Sequence, residues 1–504
     1  MISAITYLLL FLFLIYKTNF FGIIKDEAIS PKFFSLLFLL KAAAIPVFII
    51  IYKRFYGGLE NFDAGNFYND AKSVNAFGHH HFFEYLKMIF GLQNDNEGSF
   101  CYTNCLVNTR NWDNGRIHDF LYNDNRVVIR IHSLLHFIAF NSYYVHALFS
   151  CFLSFLGIVY LYKSLKEFFV GKEMWLILVL CLFPTLWFYT GSISKEALTL
   201  CFLGCGVYQI KKIFLKDYTL PSLIFSILIL FTAFFLKPYI LIITFLCFAL
   251  FFKIYYSQKI HFKVLIYCIV LFFTALLTNT VVNTIKHKTL FEIALERQRI
   301  FADASTGGIF LLDSSKFVRL DYDSSLIKKQ VITGLNSAKK TYYTIKLNSP
   351  YIYWEHTHQE DTLFCAANKD TIAKYTFVYD QPKSGSNFVL PNSFLHLTIS
   401  SFYYTLFYPL FFNAKNSLQY IASFENVTIV ISLVLILFGF VKSNKQKFIP
   451  ITFLSLAFIV CFLVGITTPN SGAIVRYRSL VVIFILLSAL YYMPVRNLNF
   501  KPKH

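Results

Sequence analysis

The stretch Pro450-Ile451-Thr452-Phe453-Leu454-Ser455-Leu456-Ala457-Phe458-Ile459-Val460-Cys461-Phe462-Leu463-Val464-Gly465-Ile466-Thr467 holds no charged side chain. A helix needs about 20 mostly apolar residues to cross the hydrocarbon of a bilayer, so this run reads as a membrane span. The same reading applies to 2–23, 33–53, 143–162, 174–191, 194–210, 221–236, 239–256, 264–285, 425–441 and 479–493. That makes about eleven spans, with 395–412 as a further, re-entrant candidate. The first stretch lacks the basic flank and small-residue cleavage site of a signal peptide and counts as a span. The fold class expected is an all-α polytopic membrane protein with two large extracytoplasmic loops.

Composition points the same way. Of 504 residues, 56% are hydrophobic and 14% charged, with 60 Phe against 20 Gly. A soluble domain carries roughly a quarter charged residues, so this chain lacks the polar surface to stay in water. The spans divide it into N-terminal helices (1–53), a first outer loop with interfacial helices (54–142), and a central bundle (143–285). A second outer loop (286–424) and C-terminal helices with a basic tail (425–504) follow. The connections around Lys163–Lys172, Lys211–Lys216, Lys253–Lys263 and Lys442–Lys447, and the tail Arg496–Lys503, are basic and fall on one side if the spans alternate. By the positive-inside rule that side is the cytoplasm, and the large loops lie on the opposite, extracytoplasmic face. The net charge of +19 is largely this rim, so the partner it implies is anionic lipid and not nucleic acid.

The outer loops carry the polar candidates. The first opens with Phe62-Asp63-Ala64-Gly65-Asn66-Phe67-Tyr68-Asn69-Asp70, whose two carboxylates are seven apart and share roughly one helical face. A carboxylate at headgroup level can take a proton from a hydroxyl or help hold a divalent cation on a phosphate; it can also simply cap a helix. His79-His80-His81 point three ways on a helix and make a poor metal site; stretches of this kind suit helices lying along the membrane surface. Arg126 and Arg130, four apart, could both reach one phosphate or snorkel to headgroups. Cys101 and Cys105 could bridge in an oxidising compartment. In the second loop His356 and His358 are weak metal candidates, since His-x-His places them on opposite sides of a strand.

Charges at membrane level say more. Lys195 and Glu196 lie in a short turn between two spans and, being adjacent, point about 100° apart toward different partners. Lys237 occupies a second short turn. Arg476 and Arg478 stand directly before the last span, against the positive-inside trend. Lys195, Lys237, Arg476 and Arg478 together suit a phosphate or diphosphate group at that level.

This pattern resembles the GT-C-type membrane glycosyltransferases that use polyprenyl-phosphate sugars in bacterial surface-polysaccharide assembly. The likeness rests on the topology, on Phe62–Asp70, on Ser194-Lys195-Glu196-Ala197, and on Gly472-Ala473-Ile474-Val475-Arg476-Tyr477-Arg478. The acidic motif follows the second span here, whereas that family usually places it after the first. The resemblance implies Asp63 as catalytic base with Asp70 as helper or metal ligand. It also implies a polyprenyl-(di)phosphate sugar donor and a glycan, lipid or protein acceptor, with a divalent cation as an optional cofactor. An O-antigen-type polymerase or ligase would rely more on the arginines. A transporter or flippase would need the internal repeats or paired broken helices that this sequence does not show.

Overall fold

The computed structural model describes residues 2–17, 25–58, 62–93, 98–112, 125–257, 262–293 apart from 288 and 290, 394–414, 417–468 and 471–495, plus the backbone of seven strands between 309 and 378. The first helices are α1 (Ile2–Tyr16), α2 (Pro31–Ala42), α3 (Ala44–Tyr56), α4 (Asp63–His80), α5 (Phe82–Phe90), α6 (Phe100–Asn104) and α7 (Asn125–Leu135). Then come α8 (Tyr143–Leu165), α9 (Glu173–Leu182), α10 (Pro184–Tyr189), α11 (Lys195–Phe214), α12 (Leu220–Leu236), α13 (Pro238–Tyr256) and α14 (Lys263–Lys286). After the strands follow α15 (Phe394–Phe402), α16 (Ser417–Lys442), α17 (Phe448–Thr467) and α18 (Ser471–Tyr492).

Among the described residues, eight segments are long and apolar enough to cross a membrane: Pro31–Arg54, Tyr143–Phe169, Lys195–Phe214, Tyr239–Tyr256, Lys263–Thr280, Gln419–Lys442, Phe448–Thr467 and Gly472–Tyr492. The chain is a multi-pass α-helical membrane protein. The other three expected spans are shorter apolar helices, Ile2–Tyr16, Glu173–Leu182 and Leu220–Thr232. The reason is plain for 174–191. Pro184 brings no N–H, and Phe183 before it turns extended (φ −59°, ψ 124°), so one expected span becomes the pair α9 and α10. The strands, β1 (Ile309–Leu311), β2 (Lys316–Arg319), β3 (Ile327–Thr333), β4 (Lys339–Ile345), β5 (Ile352–Thr357), β6 (Asp361–Cys365) and β7 (Thr376–Val378), are confined to the second expected loop. They pair antiparallel in the order β3-β4-β7-β1-β2-β5-β6, so this part of the chain is not helical.

The chain divides into two compact units. The first holds Met1–Phe272, Val427–Val460 and Arg476–His504. Within it α8 crosses α11 at close range. Gly204 faces Gly157, and a Cβ on Gly157 would come within 2.6 Å of the Cys201 Cα, so only glycines let the two backbones meet. The second unit holds Phe273–Asn426 and Cys461–Val475. In it α15 runs into a π-helical turn, Tyr403–Phe407, where the re-entrant segment was expected. Asn426 steadies that turn by donating to the Phe407 and Pro409 carbonyls at 3.0 and 2.8 Å.

The expected basic connections of the first unit do meet. Lys211 pairs with Glu167 at 3.3 Å, and Tyr256 donates to the same carboxylate. Lys172 donates to the carbonyls of Leu490 and Tyr491 at 2.6 and 3.0 Å, and Lys445 joins it on Tyr491 at 3.0 Å. Ammonium groups on the last free carbonyls of a helix complement its dipole, so the rim closes the end of α18. The basic tail lies outside the described residues.

Candidate functional site

At the other end of these helices four charged side chains from four distant segments join into one chain. Ser194 caps α11 by accepting from the Ala197 N–H at 3.1 Å, which sets Glu196 in the first turn, where a helix dipole favours a carboxylate. Glu196 Oε1 accepts from Lys237 Nζ at 2.6 Å, and its Oε2 accepts from Arg476 Nε at 2.7 Å. Arg476 Nη1 in turn donates to Asp63 Oδ2 at 2.9 Å. Lys237 stands in the break that Pro238 imposes between α12 and α13, and its ammonium lies 3.9 Å from the centre of the Tyr477 ring. Asp63 opens α4, again at a positive helix end.

Exposure grades along the chain. The Glu196 side chain is 0% accessible and Lys237 2%, while Arg476 is 18% and Asp63 55%. Charges taken out of water are tolerated only when paired and hydrogen-bonded, and Glu196 satisfies two cations at once. The Asp63–Arg476 bridge is different. An exposed pair contributes about 0.2–1 kcal/mol, so this link exchanges partners readily while the inner ones do not.

Other expected site residues fall elsewhere. Lys195 lies over the Phe67 ring of α4 at 5.9 Å, while its neighbour Glu196 serves Arg476 and Lys237; the two do take different partners. Arg478 is fully buried and, two residues on from Arg476, lies about 200° further round α18. Arg126 and Arg130 sit on the Trp112 ring at 5.5 and 5.3 Å, and Arg130 Nε donates to the Met88 carbonyl at 2.7 Å. They brace the first loop. Asp70 is buried, with Oδ1 and Oδ2 accepting the backbone N–H groups of Arg110 and Asn111 at 2.9 and 2.7 Å. Burial raises its carboxyl above the usual range while those amides and the Arg110 charge pull it back. With both oxygens accepting from backbone, Asp70 anchors a loop. Among the described residues no three His, Cys, Asp or Glu side chains are arranged to hold one. His356 falls on β5, and His358 lies outside the described residues. Cys101 and Cys105 are buried free thiols and form no bridge; burial pushes Cys105 up to about 12.

Sequence reading missed two buried groups. Lys41, fully buried in α2, donates to Thr190 Oγ1 at 2.6 Å and so grips the turn that delivers Glu196. An ionisable residue inside an apolar span is itself a signal. Beside α4, His132 Nδ1 meets His146 Nδ1 at 3.0 Å, and His132 Nε2 meets Ser150 Oγ at 3.2 Å. His136 Nε2 reaches the Tyr68 carbonyl at 3.3 Å. Burial, and His136 nearby, push His132 down to about 3, so it is neutral in the folded protein. Below about pH 6.5 an unfolded imidazole binds a proton that the folded one refuses. Stability therefore falls as pH drops from about 6.5 toward 3, by up to about 1.4 kcal/mol per pH unit for this group. Thermal melts of the detergent-solubilised protein should show that slope, and His132→Phe should flatten it; equal slopes would place a charged imidazole there instead.

The helices and this ion chain define a multi-pass membrane protein with a charged cluster at one end of its first unit. No protein-family model, curated protein or solved structure matches the chain.

Proposed function

We propose that the protein transfers a glycosyl group from a polyprenyl-phosphate or -diphosphate sugar to a glycan, lipid or protein acceptor on the outer face of a bacterial plasma membrane. The observation that carries this reading is the chain Asp63–Arg476–Glu196–Lys237, which sets an exchangeable carboxylate beside cations held from behind. Two carboxylates and two cations balance at rest, and Lys195 adds a positive charge nearby. Among the described residues Arg476 Nη2 makes no hydrogen bond, which leaves it for a phosphate oxygen. A phosphate that takes Arg476 displaces Asp63, so donor binding and release of the carboxylate are one exchange.

The chemistry then follows. An acceptor hydroxyl oxygen forms its bond to the anomeric carbon as the bond from that carbon to the phosphate oxygen breaks. The electron pair leaves with the phosphate, whose growing charge Arg476 and Lys237 stabilise, and the hydroxyl proton goes to Asp63. The polyprenyl tail stays in lipid and fixes the phosphate at headgroup level. Asp63→Asn should lower transfer by about 10²–10⁴-fold, the usual range for a general base, with normal protein level in membranes. The readout is radiolabelled sugar moved from lipid-linked donor in isolated membranes. Full transfer by Asp63→Asn ends the assignment. If alanine at Arg476 and Arg478 abolishes activity while Asp63 is dispensable, a polymerase or ligase is the better reading.

A further inference from the structure

A second feature of the first loop has a different chemistry. Between the C-terminal half of α4 and the segment after α6 lies a cleft of about 350 Å³, lined by Ser73, Phe77, His80, His81, Asn104 and Asn108, with Ala76 and Cys105 at its wall. Among the described residues no Asp, Glu, Lys or Arg lines it. In a chain of net charge +19 that is a marked local exception, and it disfavours an ionic ligand. The lining instead offers hydroxyl, amide and imidazole groups, each able to donate and to accept, beside aromatic surface.

The hydrogen-bonding state of these groups is informative. Among the described residues His80, His81 and Asn108 use no side-chain nitrogen or oxygen in a hydrogen bond. The walls themselves are fixed. Tyr85 packs on Gly78, where a Cβ would come within 2.7 Å of the ring, and this sets the turn that carries His80 and His81. Asp70 ties down Arg110 and Asn111, just beyond Asn108. Uncommitted polar groups on a fixed frame with aromatic faces suit the hydroxyls and the C–H faces of sugar rings.

Position adds to chemistry. Asp63 opens α4, and the cleft residues on that helix are Ser73 to His80. At about 1.5 Å per residue the cleft lies roughly 15–26 Å along the helix from Asp63. We propose that it is a binding subsite for an uncharged stretch of an oligosaccharide, with α4 setting its distance from the ion chain. Its role as acceptor subsite rests on the transferase reading; its capacity to bind sugar rings does not.

The test uses the full-length protein in lipid nanodiscs. The probe is a fluorescently tagged partial acid hydrolysate of the source cells' own envelope polysaccharide, separated by anion exchange into uncharged and anionic fractions. Wild type should bind the uncharged fraction. Ala76→Trp, at an exposed position of the wall, should weaken that binding at least about tenfold, as should Asn104→Ala with Asn108→Ala. Asp63→Asn should keep the binding although it loses transfer. Matched melting temperatures exclude misfolding of either cleft variant. No binding of the uncharged fraction by wild type overturns the proposal. So does equal binding by Ala76→Trp, or binding of the anionic fraction alone. Binding that Ala76→Trp abolishes, in a protein whose wild type transfers no sugar from the lipid-linked donor, sinks the transferase reading and leaves the cleft standing.

Discussion

Membranes expressing Glu196→Ala should hold little folded protein. The substitution removes the carboxylate that Lys237 and Arg476 share, at a position with no access to water. Removing one partner of a buried ion pair costs about 3–5 kcal/mol, a large part of the 5–15 kcal/mol that holds a typical protein folded. That is about a hundredfold or more in the folded-to-unfolded ratio. Glu196→Gln keeps the shape and one acceptor, so it should fold better than the alanine form yet melt below wild type. Joining Glu196→Gln to Lys237→Met removes a cation along with the charge that balanced it, and should recover part of the lost stability. Transfer should not return, because Arg476 then has nothing behind it. Melting temperature and transfer, measured on the same preparations, separate the two effects. If Glu196→Ala melts like wild type, the carboxylate is not buried between cations.

A comparable loss is expected for Gly204→Leu. A Cβ there collides with the Gly157 backbone carbonyl, and no rotamer change relieves it. Extra methylenes in a packed core usually cost about 1–3 kcal/mol when side chains can yield; here α8 and α11 would have to part. The separation would reach the site, because α11 carries Lys195 and Glu196 in its first turn. Size-exclusion chromatography after detergent extraction should show loss of the monodisperse peak. Gly204→Ala should show the same defect in weaker form. A normal profile for the leucine variant would mean that the two helices do not cross at these glycines.

How much of this was legible in the sequence differs by level. Long uncharged runs such as 450–467 declare themselves, because length and hydropathy are local properties. The break at Pro184 was also visible, yet the apolar run around it outweighed one proline in the reading. Asp63, Lys237 and Arg476 were singled out by chemistry, since a charge beside an apolar span needs a reason wherever it falls. What the sequence could not tell is that Glu196 lies at their centre, because that depends on the meeting of four helices far apart in the chain. Asp70 looked equivalent to Asp63 by spacing. Its partners turned out to be backbone amides forty residues away, and every residue but proline has one of those. The pair His132 and His146 follows no helical repeat across the turn between α7 and α8, so no periodicity pointed to it.

The ion chain also has an order in time. Glu196 and Lys237 are 41 residues apart, whereas Asp63 and Arg476 are separated by 413. A ribosome delivers the N-terminal part first, so the inner pair can form while α18 is still unmade. The outer link must wait for α18 to enter the bilayer. A truncated nascent product that stops before α18 therefore lacks Arg476 and leaves the Asp63 carboxylate without its bridge.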